Sequence, residues 1–254
     1  MDGTFLFFIH SNYDRIIVRK RGWLMPTNGE QFSKEKYFIH KGAIDKNMAR
    51  LGAQYAIFDA LQNYQDEGGL NNAQVPHSHS KYADPFMESL MLQLLPTVEK
   101  DTGLSLYPTY SYFRLYKPGD ELEKHTDRPA CEISLTINLG YYYNTEDKNY
   151  KWNIWVDGNE VVTEPGDMVI YRGLEMEHWR EPFAAGRGSW QVQAFLHYVD
   201  VNGPYSMCKF DGRPMAGFPN TYKDESLDNM ANRVHAEKIN KIDISDAILF
   251  VSNK

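Results

Sequence analysis

The sequence predicts a single domain that is mainly β-sheet with flanking helices, of the sandwich or barrel kind. A chain of 254 residues with 42% hydrophobic content can bury a full core, and β-rich domains of this length often remain one unit. Helical patterns occur only toward the two ends of the chain. Between residues 104 and 204, short aromatic and β-branched runs alternate with turn sequences, which is typical of sandwiches and barrels.

Residues 1–103 are expected to form a mostly helical support region with two recognisable helices. In the first, apolar residues recur at three- and four-residue steps and form a stripe that packs on the rest of the domain. They are Met48, Leu51, Tyr55, Phe58 and Leu61. Gly68-Gly69 then ends the pattern.

The second helix is expected to begin at Asp84-Pro85, because an acidic N-cap followed by proline is favourable in a first turn. Pro96 should kink or end it, since proline lacks the amide hydrogen that continues a helix. The side chains that this helix buries are Phe86, Leu90, Leu94 and Val98.

The central region, residues 104–204, contains five expected strands. They are residues 110–116, 132–140, 150–156, 167–171 and 189–199. Turn sequences rich in Gly, Pro, Asp and Asn separate several of them. From residue 205 the chain returns to loop and then to a helix from Ser226 towards Lys238, which we expect to act as support or as the contact of a homodimer.

The charge balance and the cysteines limit the class of partner and the compartment. A formal charge of −7 and a pI near 5.6 provide no broad cationic field for nucleic acid or for an anionic membrane. The apolar run at residues 5–9 is too short for a signal peptide or a membrane span. Cys131 and Cys208 form no metal or redox motif and are expected to be reduced thiols. A cytoplasmic protein follows.

One expected strand, residues 132–140, has two chemically different faces. Apolar side chains alternate with polar ones, namely Ile133, Leu135, Ile137 and Leu139 against Glu132, Ser134, Thr136 and Asn138. The apolar face packs, and the polar face meets either solvent or the interior of a barrel. In the second case Tyr112, Arg114 and Tyr116 of the preceding strand can face the same interior.

A candidate metal site is indicated by His125-Thr126-Asp127 together with the distant His178. Side chains two residues apart in an extended segment point to the same side, so His125 and Asp127 can reach one cation. Two neutral imidazoles and one carboxylate on one octahedral face bind ferrous iron and leave three positions open. The His-x-Asp pair alone is a weak signal, because it also arises by chance or as a surface hydrogen-bonded pair.

The surrounding motifs strengthen that signal. Residues 114–119 precede His125, residues 165–171 precede His178, and residues 186–189 follow it. With these motifs, residues 104–204 resemble the 2-oxoglutarate- and iron-dependent dioxygenases, in the prolyl-hydroxylase-like branch of the double-stranded β-helix (jelly-roll, cupin-like) superfamily. The resemblance implies that His125, Asp127 and His178 hold Fe(II), with 2-oxoglutarate and O2 as co-substrates.

The resemblance also implies positions for the co-substrate and the substrate. Family members place a basic residue nine or ten positions after the distal histidine, often as Arg-x-Ser, to hold the remote carboxylate of 2-oxoglutarate, and Arg187 with Ser189 occupy that place; a guanidinium fork suits a carboxylate. Tyr116 is a candidate hydrogen-bond donor to the co-substrate or else an ordinary strand aromatic. Asn138 stands where relatives carry a second tyrosine, so its amide either replaces that donor to the co-substrate or the role is empty. Arg128 is a candidate clamp for a substrate carboxylate, or it forms a salt bridge to Glu132.

The remaining histidines compete weakly for the metal. His77 and His79 have same-side spacing, but they follow Pro76 in a polar stretch that favours a loop. His197 lies on the final expected strand, where a packed and hydrogen-bonded core histidine is the default. His10, His40 and His235 have no ligand-like neighbours.

Through the resemblance, the expected activity is hydroxylation of a C–H bond in an amino-acid or peptidyl substrate, with proline the best single choice, and with release of succinate and CO2. Relatives that halogenate have a small residue at the position of Asp127, so its carboxylate predicts hydroxylation. A small biosynthetic metabolite is the alternative substrate, because one fold serves many substrates. Two other classes stay open: an inactive jelly-roll binding or sensing module, and a zinc hydrolase, for which no His-Glu-x-x-His sequence is present.

Overall fold

The computed structural model describes residues 26–63, 74–76 and 78–252, with side chains described as far as residue 239. The helices in this part of the chain are α1 (Asn28–Glu35), α2 (Lys46–Gln62), α3 (Pro85–Thr102) and α4 (Glu225–Ser252). The strands are β1 (Tyr37–His40), β2 (His79–Tyr82), β3 (Leu106–Tyr116), β4 (Leu122–His125), β5 (Ile133–Tyr142), β6 (Ile154–Val156), β7 (Asn159–Val161), β8 (Met168–Arg172), β9 (His178–Arg180) and β10 (Trp190–Asp200). Short 3₁₀ helices are Pro129–Cys131, Ser206–Gly212 and Asn220–Tyr222.

Two antiparallel sheets form the body of the molecule. The large sheet has the strand order β1-β8-β5-β10-β3-β2, and the small sheet has the order β4-β9-β6-β7. Helices α2 and α3 cover the outer face of the large sheet. A separate apolar cluster, which includes Val156 and Met176 from the small-sheet side and Val169 from the large sheet, lies between the sheets. The predicted class, mainly β with flanking helices around a jelly-roll core, is confirmed.

Strand β5 uses its polar face to line the interior of the sandwich. Its apolar residues, among them Ile133 and Ile137, belong to the core under the helices. Ser134, Thr136 and Asn138 are at most 2% exposed, so the polar face does not meet bulk solvent. The alternation therefore marks a buried polar lining, which is the second of the two interpretations that the sequence allowed.

Helix α2 confirms the predicted helix but buries a different face. Leu51, Phe58 and Leu61 are 51%, 61% and 65% exposed, whereas the buried side is made of small residues. That side consists of Ala49, Gly52, Ala53 and Ala56. A Cβ on Gly52 would lie 3.2 Å from a methyl group of Leu139, so the helix axis comes too close to β5 for large side chains. The short distance between α2 and β5, and not the hydrophobicity of the side chains, determines which face of the helix is buried.

Helix α3 begins as predicted and continues further than predicted. The Asp84 carboxylate accepts hydrogen bonds from the amides of Phe86 and Met87. The helix then runs through Pro96 to Thr102, so of the two expected effects of Pro96, a kink or an end, the end does not occur. Pro96 lies on the exposed side of the helix, where water can satisfy the carbonyl that its missing amide leaves unpaired. Leu90, Leu94 and Val98 are buried as expected.

Five strands were missed because each is only three or four residues long, namely β1, β2, β4, β7 and β9. Strands β1 and β2 form the two edges of the large sheet, so the region before residue 104 contributes to the sheet as well as to the helices. His79 was expected in a loop but begins β2, where its Nε2 lies 2.9 Å from Asp59 Oδ2. Residues 5–9, His10, Gly68-Gly69 and His77 lie outside the described residues.

The C-terminal segment packs against the end of the sandwich near β10. Ala231 of α4 joins a buried cluster with Ala130, Val199 and Cys208, and α4 extends past the predicted end at Lys238 to Ser252. Cys131 and Cys208 are both buried free thiols, as the sequence indicated. None of the helices in the described part of the chain is long and apolar enough to cross a membrane.

Candidate metal centre

His125, Asp127 and His178 meet at one end of the small sheet. His125 ends β4 and pairs directly with His178, which begins β9. Asp127 Oδ1 lies 3.8 Å from His125 Nε2 and 3.5 Å from His178 Nε2. The two residues of the His-x-Asp motif and the distant histidine are therefore brought together by one strand pairing.

Both imidazoles are fixed by their second ring nitrogen. His125 Nδ1 lies 2.7 Å from the Glu123 carbonyl oxygen, and His178 Nδ1 lies 3.0 Å from the Met176 carbonyl oxygen. A carbonyl can only accept, so Nδ1 carries the hydrogen and Nε2 keeps its lone pair. Both Nε2 lone pairs are then available on the side where Asp127 lies. Such outer hydrogen bonds fix the orientation and tautomer of metal-binding histidines.

The Asp127 carboxylate is oriented from the large sheet. The Ser134 hydroxyl donates to Oδ2 at 2.6 Å, and the Asp127 amide donates to the Gly173 carbonyl at 2.8 Å. Oδ1 is left to face the histidines. A Cβ on Gly173 would lie 2.5 Å from Asp127 Oδ2 and 2.7 Å from Ser134 Oγ. Only glycine fits beside this carboxylate.

The electrostatics favour a charged carboxylate next to imidazoles. Burial opposes ionisation of Asp127, but the charge and hydrogen bond of His178, aided by His197 and Ser134, bring its pKa to about 2. Burial and the neighbouring His178 lower the pKa of His125. Burial also opposes protonation of His178, but Asp127 outweighs it and raises the pKa of His178.

The donor set fits a divalent transition metal. The three donor atoms all lie within 4.8 Å of one another, and metal bonds of about 2 Å to imidazole nitrogen and carboxylate oxygen need only a small inward movement from these separations. Two imidazoles and one carboxylate bind one face of an octahedron and suit ferrous iron. One side of the site faces a cavity, so further positions on the metal are open to small ligands.

That cavity has a volume of about 380 Å³, which lies within the usual size of small-molecule sites. Its walls combine the three candidate ligands with aromatic and cationic side chains. They include Tyr110, Tyr112, Arg114, Tyr116, Arg128, Tyr171, Phe195 and His197. The cavity lies between the two sheets, and the predicted inward direction of Tyr112, Arg114 and Tyr116 agrees with these walls.

Arg187 and Ser189 are not brought to the cavity. Arg187 is exposed in the loop before β10, and the Ser189 hydroxyl donates to the Gly186 carbonyl and accepts from the Asn144 amide. Strand β10 begins only at Trp190, so both residues precede the part of the strand that faces the interior. Their placement does not support the expected role in holding a carboxylate.

Tyr116 and Asn138 differ in their position relative to the cavity. Tyr116 is completely buried and lines the cavity, and Arg114 Nη1 lies 3.4 Å from its hydroxyl oxygen. Asn138 does not line the cavity, since its amide donates to the Thr163 carbonyl at 3.0 Å. Tyr116 therefore remains a candidate contact for a ligand in the cavity. Asn138 lies outside the cavity lining and donates to Thr163 instead.

Arg128 lines the cavity, and its guanidinium group is held by two aspartates from the C-terminal segment. Nη1 and Nη2 donate to the two carboxylate oxygens of Asp211 at 2.8 Å each, and Nη1 also donates to Asp228 at 3.0 Å. The expected alternative, a salt bridge to Glu132, is wrong, because Glu132 accepts from the Asp200 amide and Arg128 faces Asp211. A substrate carboxylate would have to compete with Asp211 for this cation.

We expect Asp211→Asn to destabilise the protein by about 2–4 kcal/mol, because it breaks a bidentate pair whose carboxylate is fully buried. Asp228→Asn is the matched control, since Asp228 binds the same guanidinium from a more exposed position and should cost at most about 1 kcal/mol. Urea unfolding of the full chain measures both. An equal decrease in the free energy of unfolding in the two variants would show that the ion pair with Asp211 contributes no more to stability than the one with Asp228.

The same pair should make stability depend on pH. Burial opposes ionisation of Asp211, but Arg128, Tyr82 and Lys223 outweigh it and lower the pKa of Asp211. A lowered pKa in the folded state contributes stability above the unfolded value of about 3.9, and this contribution is lost as pH falls through the folded value. The difference between wild type and Asp211→Asn should therefore be constant near neutral pH and shrink below about pH 4.

The structure adds interior residues that the sequence did not single out as part of the site. His197 is buried, its Nδ1 lies 3.0 Å from Ser134 Oγ, and burial lowers its pKa to about 4. Because Ser134 gives its hydrogen to Asp127, the neutral His197 donates to Ser134. A packed and hydrogen-bonded histidine was the expectation, but its place in the cavity wall was not. The polar parity of β5 is the signal that could have identified Ser134.

Comparisons with known proteins identify the fold. No protein-family model matches the sequence, and no curated protein matches it. The 2-oxoglutarate-dependent carbocyclase SnoK of nogalamycin biosynthesis aligns at 15% identity and a TM-score of 0.51, over 70% of this chain and 85% of that one. The 2-oxoglutarate-dependent epimerase SnoN of the same biosynthesis aligns at 11% identity and a TM-score of 0.51, over 67% and 78%. A Pseudomonas putida prolyl-4-hydroxylase aligns at 19% identity and a TM-score of 0.49, over 67% and 95%.

These similarities define the class of fold. The chain has the double-stranded β-helix fold of the non-haem 2-oxoglutarate-dependent enzymes that it matches, and the resemblance found in its sequence is confirmed at the level of the fold.

Proposed function

We propose that this chain is an oxygenase that holds Fe(II) through His125, Asp127 and His178 and uses 2-oxoglutarate and O2 to hydroxylate a substrate C–H bond. The observation that carries the proposal is the convergence of two oriented imidazoles and one carboxylate on a cavity of small-molecule size. The iron and the keto acid together supply the oxidising chemistry, in which O2 and 2-oxoglutarate are consumed and the hydroxylated product, succinate and CO2 are formed.

The residues of the chain contribute position and protection. The carbonyls of Glu123 and Met176 fix the imidazoles, and the Ser134 hydroxyl fixes Asp127. Fixed ligands keep the open positions directed at the cavity, so that a bound substrate is held within reach of the oxidant. The aromatic side chains of the cavity walls would limit contact between the oxidant and water, and thereby limit side reactions. Because Asp127 fills the third ligand position with a carboxylate, hydroxylation is favoured over chlorination.

For the substrate, the resemblance to the prolyl-hydroxylase-like branch supports a free amino acid or a peptide, with proline first. A small biosynthetic metabolite is the second candidate, since SnoK and SnoN come from the biosynthesis of nogalamycin. The proposal includes a cytoplasmic location, with which the two free thiols agree. The alternative, a sensing module without catalysis, requires that His125, Asp127 and His178 bind a metal but that no 2-oxoglutarate is consumed.

The proposal is tested first without a substrate. Anaerobic addition of Fe(II) and 2-oxoglutarate to the purified protein should produce the weak visible absorption of an iron–keto-acid chelate, and Zn(II) in place of Fe(II) should give no band. Free amino acids, proline peptides and small metabolites are then screened for coupled formation of succinate. Absence of both the band and 2-oxoglutarate consumption would exclude the oxygenase. Hydrolysis of a screened compound with zinc as the metal, without 2-oxoglutarate, would establish the zinc hydrolase instead.

A further inference from the structure

Two arginine side chains are buried in the interior away from any carboxylate of the described residues. Arg114 on β3 is 2% exposed and Arg180 on β9 is 1% exposed. Within the described part of the chain, no carboxylate forms an ion pair with either of them. Arg180 donates from Nη1 to the Trp152 carbonyl at 2.8 Å, and Arg114 Nη1 makes a long contact to the Tyr116 hydroxyl. Burial holds the pKa of Arg180 below its usual value.

Four buried N–H-bearing atoms of this region have no hydrogen-bond acceptor among the described residues. They are Arg114 Nε, Arg180 Nε, Arg180 Nη2 and Gln193 Nε2. The Gln193 amide is oriented by its oxygen, which accepts from the Thr136 hydroxyl at 2.9 Å. Buried donors are nearly always paired in native proteins, and an unpaired buried cation is destabilising. All four atoms can donate, so the missing partner is an acceptor, and the two guanidinium groups favour one with negative charge.

Of the residues with unpaired donors, Arg114 lines the cavity, and Arg180 and Gln193 lie next to lining residues. Gln193 is the direct cross-strand neighbour of Arg114, and such neighbours have Cβ atoms about 5 Å apart. The Arg114 and Arg180 guanidinium carbons lie 5.3 Å and 5.9 Å from the centre of the Tyr116 ring. Arg114 and Tyr116 line the cavity directly.

Arg180 connects this wall to the metal centre. It is two residues after His178 on the same strand, so both side chains point to the interior. Leu122, its partner on β4, lines the cavity. A ligand that reached from the metal centre to Tyr116 would meet Arg114 in the cavity wall, and Arg180 lies against the same tyrosine ring.

We propose that Arg114, Arg180 and Gln193 form a carboxylate cradle, and that it receives the carboxylate of 2-oxoglutarate remote from the metal, in place of Arg187 and Ser189. The inference rests on the proposed function. A carboxylate supplies acceptors only, and guanidinium groups match it in charge and geometry. The buried side chains of Gln191 and Gln193 on β10 carry no charge. The positive charge of the cradle therefore comes from Arg114 on β3 and Arg180 on β9.

The test compares two keto acids on the Mn(II)-loaded full chain, which binds them without turnover. 2-Oxoglutarate has the remote carboxylate and 2-oxobutanoate lacks it. By calorimetry, Arg114→Met and Arg180→Met should each weaken 2-oxoglutarate about 10- to 100-fold, while the dissociation constant for 2-oxobutanoate changes less than about threefold. Arg187→Met, the exposed control, should change neither. Loss of 2-oxoglutarate affinity in Arg187→Met alone would overturn the cradle and leave the function standing.

Melting temperatures separate this role from a structural one. Since an unpaired buried cation destabilises the ligand-free protein, Arg180→Met should melt no lower than wild type but should lose the stabilisation by 2-oxoglutarate. A lower melting temperature with unchanged affinity would assign Arg180 to structure and refute its part in the cradle. If a Met variant does not fold, Arg180→Lys keeps the charge but loses the fork and should still weaken binding about tenfold. Failure of wild type to bind 2-oxoglutarate with Mn(II) would overturn the function and the cradle together.

Discussion

His178→Ala is expected to abolish tight metal binding while the protein stays folded. His178 is almost fully buried, and it supplies one of three donor atoms. Its replacement leaves His125 and Asp127 as an open pair. Loss of an outer hydrogen bond alone costs roughly 10- to 100-fold in metal affinity, so loss of a ligand should cost more than about 100-fold. Titration with Mn(II), followed by paramagnetic resonance, measures the affinity directly.

Cys131→Ala is the control for this experiment. Asp127, Cys131 and His197 form a second group whose donor atoms lie close enough for a metal. Burial raises the pKa of the Cys131 thiol well above its usual value, and a thiol must lose its proton to bind a metal. Mn(II) affinity in Cys131→Ala should therefore match wild type. A loss in this variant, with none in His178→Ala, would transfer the metal to the second group.

Gly173→Ala is expected to reduce metal affinity about as severely, although Gly173 touches no metal. Its added methyl group would overlap the Asp127 carboxylate oxygen that accepts from Ser134, and also the Cys131 carbonyl. Backbone atoms cannot move far, so the Asp127 side chain must rotate out of the position in which Oδ1 faces both histidines. We expect a loss of Mn(II) affinity of at least about 100-fold and a lower melting temperature.

Gly186→Ala provides the matched comparison. A Cβ at Gly186 would lie 2.8 Å from the Asn144 carbonyl oxygen, so this variant is also crowded by a backbone oxygen but lies outside the cavity wall. It should lower the melting temperature without changing Mn(II) affinity. If both glycine variants bind Mn(II) like wild type, Asp127 does not need the position that Gly173 and Ser134 give it.

Local sequence patterns predicted the parts of this protein that depend on neighbouring residues. The alternation in β5 follows from its position between a helix layer and a polar interior, and it is visible along the strand itself. The N-cap at Asp84 and the same-side placement of His125 and Asp127 also depend only on residues close by. The choice of His178 as the third ligand gained its support from the surrounding motifs and the resemblance, because β5, β6, β7 and β8 lie between its strand and β4 along the chain.

The missed features depend on distances that periodicity does not contain. The exposed Leu51 and Phe58 show that α2 lies too close to β5 for large residues. Arg187 has the expected spacing from His178, but spacing does not say where β10 begins. Arg128 was paired with Glu132 by proximity in sequence, whereas its partner Asp211 arrives from the C-terminal segment.

The candidate metal centre is assembled across the gap between two sheets. Its histidines come from the small sheet, while Ser134, which orients Asp127, comes from the large one. The distances between Asp127 and the two histidines therefore depend on how far apart the two sheets lie. Val169 and Met176 belong to the apolar cluster between the sheets. We expect substitution of either by a smaller residue to bring the sheets closer together and to change the relative affinity of the site for metals of different radius. The volume of the side chains between the sheets is thus expected to influence which metal the site prefers.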